Sequence, residues 1–201
     1  MPRLVAVITS LLFAAVGSAQ TAQSKLGDEA TDNVLLKRLF DADQNDRTEF
    51  AIDNETAKRD EDRRSQVLAE LKAGRIRTAN DHYHAAMVFQ HGVSADDIRL
   101  AFSMAWVSAS MNSDGVNPKC RDRALWLSAA AWDRIMMRED MPQWYGTQYH
   151  ADDANSEFKL YKIDESAVSD EERLRFKVPV LSEAKKRVEI LNQKSRQTPK
   201  E

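Results

Sequence analysis

Residues 121–138 constrain this chain more than any other stretch. They contain Ala124-Leu-Trp-Leu-Ser-Ala-Ala-Ala-Trp132, and then Asp133 and Arg134. Written on a helix, this run is apolar or small on nearly every side, so other elements must surround it. Charged side chains are tolerated there only with partners. Neighbours on a helix point about 100° apart, so Asp133 and Arg134 each need a partner on another element. The planar guanidinium suits carboxylates and carbonyls. Arg134 is therefore expected to bond the segment at 143–148 or an acid from 41–46, with Asp43 the first choice. All four Trp fall between 106 and 144, which predicts a core centred there.

The same helical grammar recurs upstream. Thr31 can cap a helix carrying Val34, Leu35, Leu39 and Phe40. Residues 41–62 are dense in acids and read as a loop or a solvated helix start. Arg64, Val67, Leu68 and Leu71 share one face of a helix expected over 56–73, stopped by Gly74. Thr78-Ala-Asn-Asp81 starts a buried helix ended by Gly92, and Ser94-Ala-Asp-Asp97 starts another. Past Pro142 the pattern becomes extended at 145–149 and 158–163, with turn residues between. Ser169 and Ser182 are expected to cap two further helices.

With 201 residues, 6 Gly and 5 Pro, the chain suits one domain and not a turn-rich sandwich. The predicted fold is mainly α, an irregular bundle of about six helices with a small two-stranded β ribbon near the C-terminal third. The single domain is expected over 31–192, with flexible segments at 20–30 and 193–201.

The N-terminus reads as a signal peptide over 1–19. Arg3 is the positive region, residues 4–16 are mostly apolar, and Gly17-Ser18-Ala19 offers a cleavage site. A spanning helix needs ~20 apolar residues, so no transmembrane segment is expected after cleavage. The expected localisation is periplasmic or secreted. The net charge of −3 gives no reason to expect nucleic acid. The single Cys, Cys120, excludes an intramolecular disulfide framework and is read as a helix-start residue.

Metal and cofactor motifs fail on spacing. Asp41-Ala-Asp43-Gln-Asn45 begins like a calcium loop, but Asp46 stands where Gly is needed and Ile52 where Glu is needed. His84 and His91 are two turns apart, about 10 Å of rise, too far for one ion with bonds of ~2 Å. His82 and His84 are read as partly exposed. No phosphate loop is present, since the Gly spacing and Lys are missing. No metal and no cofactor are expected. Gln90-His91 closes a buried helix, and His91 is expected to bond its last carbonyls.

Asp43-Gln44-x-x-Arg47, Gln90-His91, Asp133-Arg134 and Gln143-x-Tyr-Gly-Thr-Gln148 occur in this order. The ordered set resembles an uncharacterised bacterial family, a domain of unknown function, over roughly 35–180. The resemblance implies that Gln44, Arg47, His91, Asp133, Arg134 and Gln148 converge, and it brings no reaction with it. The alanine spacing at 101, 105 and 109 and at 124, 128 and 131 (Ser at 128) is also similar to tetratricopeptide hairpins, without a sustained ~34-residue period.

Two functions follow as expectations. The first is a non-catalytic exported domain binding a polar ligand or an envelope protein through Asp43, Gln44, Arg47, Gln90, His91, Asp133, Arg134 and Gln148. The alternative is a hydrolase-like enzyme with His91 as general base and Arg134 and Gln148 as substrate or oxyanion binders. No Ser or Cys nucleophile motif appears, which favours the first.

Overall fold

The structure is a computed structural model that describes residues 30–47, 54–111, 117–152 and 156–197. The signal peptide expected at 1–19 and nearly all of 20–30 lie outside the described residues. Seven helices occur among those described: α1 (Val34–Asn45), α2 (Asn54–Lys72), α3 (Ala79–Phe89), α4 (Ala95–Met111), α5 (Pro118–Arg138), α6 (Asp170–Arg175) and α7 (Leu181–Gln197). Between α5 and α6, β1 (Tyr149–His150) and β2 (Lys159–Leu160) pair antiparallel, Tyr149 opposite Leu160. The protein is thus mainly helical, with a two-stranded ribbon in its C-terminal part.

Helix α3 starts where its sequence dictates. Thr78 Oγ1 accepts from the Asp81 N–H at 3.0 Å, and Asp81 accepts from the Thr78 N–H at 3.0 Å, a reciprocal cap. Eight of its side chains are buried, Tyr83 and Phe89 among them. It packs against α1, α2, α4 and α5. Helices α4 and α5 form the other extensive pair. Ala101, Ala105 and Ala109 on α4 and Ala124, Ser128 and Ala131 on α5 are buried, so the two backbones approach closely over small side chains. That close approach leaves little room for indoles. Trp106 and Trp126 are exposed, and Trp132 and Trp144 only partly buried, so the buried side chains over 106–144 are mostly small ones and not the indoles.

Several boundaries differ from expectation. The cap of α1 is Asn33, not Thr31, with its side chain accepting from the N–H groups of Leu35 and Leu36. Helix α1 continues through the acidic stretch to Asn45 and buries Asp43 completely. Helix α5 begins at Pro118, whose missing N–H costs nothing in a first turn, with Asn117 as its cap. Helix α7 already includes Ser182, which is therefore no cap, and runs beyond Gln193 to Gln197. Gly146 adopts φ +84°, and a Cβ there would stand 3.3 Å from Ile163 and 3.5 Å from Ala184, so glycine fits this turn for two reasons.

Candidate functional site: two polar clusters on opposite sides of an Asp-Arg pair

Asp43 shares the buried stripe of α1 with Leu36 and Leu39, at i, i+3 and i+7. An acid on an apolar stripe needs partners, and it has three. Its carboxylate takes Gln44 Nε2 at 2.8 Å, Arg47 Nη1 at 3.0 Å and His91 Nδ1 at 3.0 Å. A carboxylate acceptor places the His91 proton on Nδ1. His91 Nε2 then faces Gln90 Nε2 at 3.4 Å as the acceptor. His91 does not bond the last carbonyls of α3, contrary to expectation, because Asp43 holds its ring.

The acids of the α1 end are matched by arginines. Arg47 Nη2 donates to Asp60 at 2.7 Å, Arg63 Nη2 to Asp60 and Asp46 at 2.7 Å each, and Arg59 Nε to Asp46 at 2.9 Å. Hydrogen bonding from Arg59, with Arg63, holds the Asp46 carboxyl below its ordinary range against burial. Burial pushes the Asp60 carboxyl up, and Arg63 and Arg47 together outweigh it, leaving it lowered.

Arg134 reaches the same junction from α5. Its Nη1 donates to the Gln90 carbonyl at 2.7 Å. Arg138, one turn on, donates to the carbonyls of Gly92, at 2.9 Å, and Val93. Arg134 thus occupies the carbonyl of the α3 C-cap, where cations are favoured, and Arg138 two carbonyls of the loop that follows. Arg134 has no partner at 143–148 or at 41–46 among the described residues, which corrects the expectation. The physical reason is supply: the acids are already taken by Arg47, Arg59 and Arg63, while the end of α3 offers free carbonyls. Burial pulls the Arg134 guanidinium below its usual range, and nearby Arg138 and Arg47 pull it further. Below this turn a Cβ on Gly92 would overlap the side chain of Asp97, so the chain passes α4 only as glycine. Asp97 lies 3.7 Å from Arg64 Nε, and Arg64 Nη1 is buried without an acceptor among the described residues.

Asp133 faces another way, as the 100° step requires. Its Oδ1 accepts from the N–H groups of Trp144 at 2.8 Å and Tyr145 at 2.9 Å. Its Oδ2 accepts from the Thr147 N–H at 3.0 Å and hydroxyl at 2.7 Å. Burial pushes the Asp133 carboxyl up against the pull of these four donors. Gln148 Nε2 donates to the Ala130 carbonyl at 3.1 Å. The fully buried Gln143 donates to the carbonyls of Gln148 and Tyr161 at 3.0 Å each and accepts from the Gln148 N–H at 2.9 Å. Arg173 completes this cluster. Its Nη2 and Nε donate to the carbonyls of Trp144 at 2.9 Å and Tyr145 at 3.2 Å.

The structure therefore brings together Asp43, Gln44, Arg47, Gln90, His91 and Arg134. Asp133 and Gln148 join a separate cluster with Gln143 and Arg173. Sequence reasoning missed Arg173, Arg138 and Asp60. The spacing of Leu36, Leu39 and Asp43 was a usable signal for the first cluster. None existed for Arg173, which looks no different from the exposed Arg175 in its helix. His84 is buried and stacked on Phe40 at 4.7 Å, not partly exposed, and burial lowers its pKa. Among the described residues no group of three or more His, Cys, Asp or Glu is placed to hold a metal ion, and no helix is long and apolar enough to cross a membrane. Compared with known proteins, the chain matches no family model, no curated protein and no solved structure.

Proposed function

We propose that this chain is an exported, non-catalytic binding domain that holds a small anionic ligand where α1 and α5 meet the end of α3. One observation carries the reading: Arg134 is largely removed from water yet bonds only a carbonyl, with no carboxylate partner among the described residues. Asp43, Asp46 and Asp60 are each bonded to arginines, so among the described residues Arg134 and Arg138 stand as surplus positive charge. A desolvated guanidinium left in that state favours an anion, which it can meet in bidentate fashion. The signal-peptide pattern at 1–19 supports export.

Replacing Arg134 with Met tests this. The substitution orphans no acid, so stability should stay within about 1 kcal/mol of the parent. Calorimetric titration at low salt should show saturable binding of inorganic phosphate or acetate, weakened at least ~10-fold in Arg134→Met. Absence of saturable binding below ~10 mM, or equal binding by the variant, overturns the reading.

The Asp43–His91 bond favours a second reading, a hydrolase-like enzyme with His91 as general base oriented by Asp43. Gln148 is spent on the Ala130 carbonyl, so Arg134 alone would meet the oxyanion. Turnover of an ester such as p-nitrophenyl acetate, abolished by Asp43→Asn, would favour this reading over binding alone.

A further inference from the structure

Phe102 and Trp106 of α4, Trp132 of α5, Trp144, Tyr145, and Phe176 at the end of α6 surround a cavity of about 310 Å³. Ser128 and Ala129 also line it. This volume lies at the small end of the range for ligand pockets. Of the ring pairs around it, Trp106 and Phe176 lie nearly parallel, at 6.1 Å and 20°, and the other three are tilted. Trp132 and Trp144 meet at 5.0 Å and 58°, Phe102 and Trp132 at 5.8 Å and 52°, Tyr145 and Phe176 at 5.1 Å and 50°. Tilted pairs leave ring faces and edges available to a planar guest. Trp106 is 47% exposed, a large apolar surface left to water beside the cavity.

Two further features separate this cavity from a packing defect. Its walls are held: Asp133 fixes the Trp144 and Tyr145 N–H groups, and Arg173 fixes their carbonyls. Walls fixed beforehand lose little freedom when a ligand enters. The indole of Trp132, one of those walls, also carries a buried Nε1–H with no acceptor among the described residues. Buried indole N–H groups normally find one.

We propose that this cavity is a binding site for a small, planar aromatic molecule carrying one hydrogen-bond acceptor, which the Trp132 Nε1–H engages. The rings select a flat apolar body, and the unpartnered N–H selects an acceptor on its edge. The site is separate from the anion site, shares no residue with it and does not depend on it.

The probes are quinoline and naphthalene, which share a shape and differ by one ring nitrogen that accepts a hydrogen bond. Each is titrated into the purified full chain at neutral pH, with the indole N–H resonances followed by proton–nitrogen NMR. Both should bind, and quinoline should move the Trp132 Nε1–H resonance downfield, that resonance being assigned by its loss in Trp132→Phe. Trp132→Phe keeps a ring in the wall and should lower the quinoline-to-naphthalene affinity ratio about five-fold. Trp106→Ala removes an exposed ring without opening the core and should weaken both probes about ten-fold. No saturable binding of either probe, or binding of both unchanged in Trp106→Ala, overturns the site. An affinity ratio unchanged in Trp132→Phe overturns the acceptor.

Discussion

Trp144 and Tyr145 present both edges of their backbone to charged side chains. Asp133 takes the N–H edge and Arg173 the carbonyl edge. Each charge is buried, and each is tolerable because its bonding capacity is filled: Asp133 takes three main-chain N–H groups and the Thr147 hydroxyl, and Arg173 meets main-chain carbonyls and Asp170 at 3.3 Å. Asp133→Asn tests this directly. The amide would turn an NH₂ towards donors that now meet an oxygen, so unfolding in urea should show a loss of about 3 kcal/mol. A loss under ~1 kcal/mol would mean the carboxylate is dispensable. From the residues alone, the need of Asp133 and Arg134 for partners was readable, because burial of the helix followed from its pattern. Their identity was not. Trp144, Tyr145, Thr147 and Gln90 serve through main-chain atoms, which no residue type announces, and only Thr147 adds its side chain.

Helix ends show the opposite balance. The caps at Thr78 and Ser94 were legible because a hydroxyl three residues before an acid has one good local solution. Ser169 was legible for the same reason. Ser182 misled, since the helix had already begun at Leu181. The joint between elements was invisible in sequence. Asn33, the cap of α1, donates its N–H to Asp81 of α3 at 2.7 Å and its amide to Glu70 of α2 at 2.7 Å. Glu70 also holds Arg75, with Nε at 2.8 Å and Nη2 at 2.5 Å. Hydrogen bonds from Arg75 and then Asn33 lower the Glu70 pKa from 4.5 to about 2. A carboxyl lowered on folding stabilises the protein above its unfolded pKa, and that contribution fades as pH falls through the folded one. The window here runs from 4.5 down to about 2. Urea unfolding across this window should show a shallower acid decline in Glu70→Gln than in the parent. Parallel declines would remove Glu70 from the joint.

At the scale of the molecule, α3 is the hub on which α1, α2, α4 and α5 pack, and the chain beyond α5 wraps back onto α5 through the cluster of Asp133. The mainly helical class was legible from periodicity and from the few glycines and prolines. The separation of the polar residues into two clusters was not, because it depends on how far α5 is rotated about its axis. That rotation has a consequence for how the molecule opens. The amides of Trp144 and Tyr145 lie on the α5 side of a backbone whose carbonyls are tied to Arg173 of α6. Exposing them to solvent requires parting from residue 133 and residue 173 together. Local fraying cannot do that, so these amides belong to a cooperative unit that opens all at once. Native-state hydrogen exchange should find them protected well beyond the amides of the short ribbon, His150 and Tyr161. In Arg173→Met the protection at 144 and 145 should fall, because half of the latch is gone. The C-terminal third would then behave as a separate foldon, able to detach while the helices around α3 stay folded.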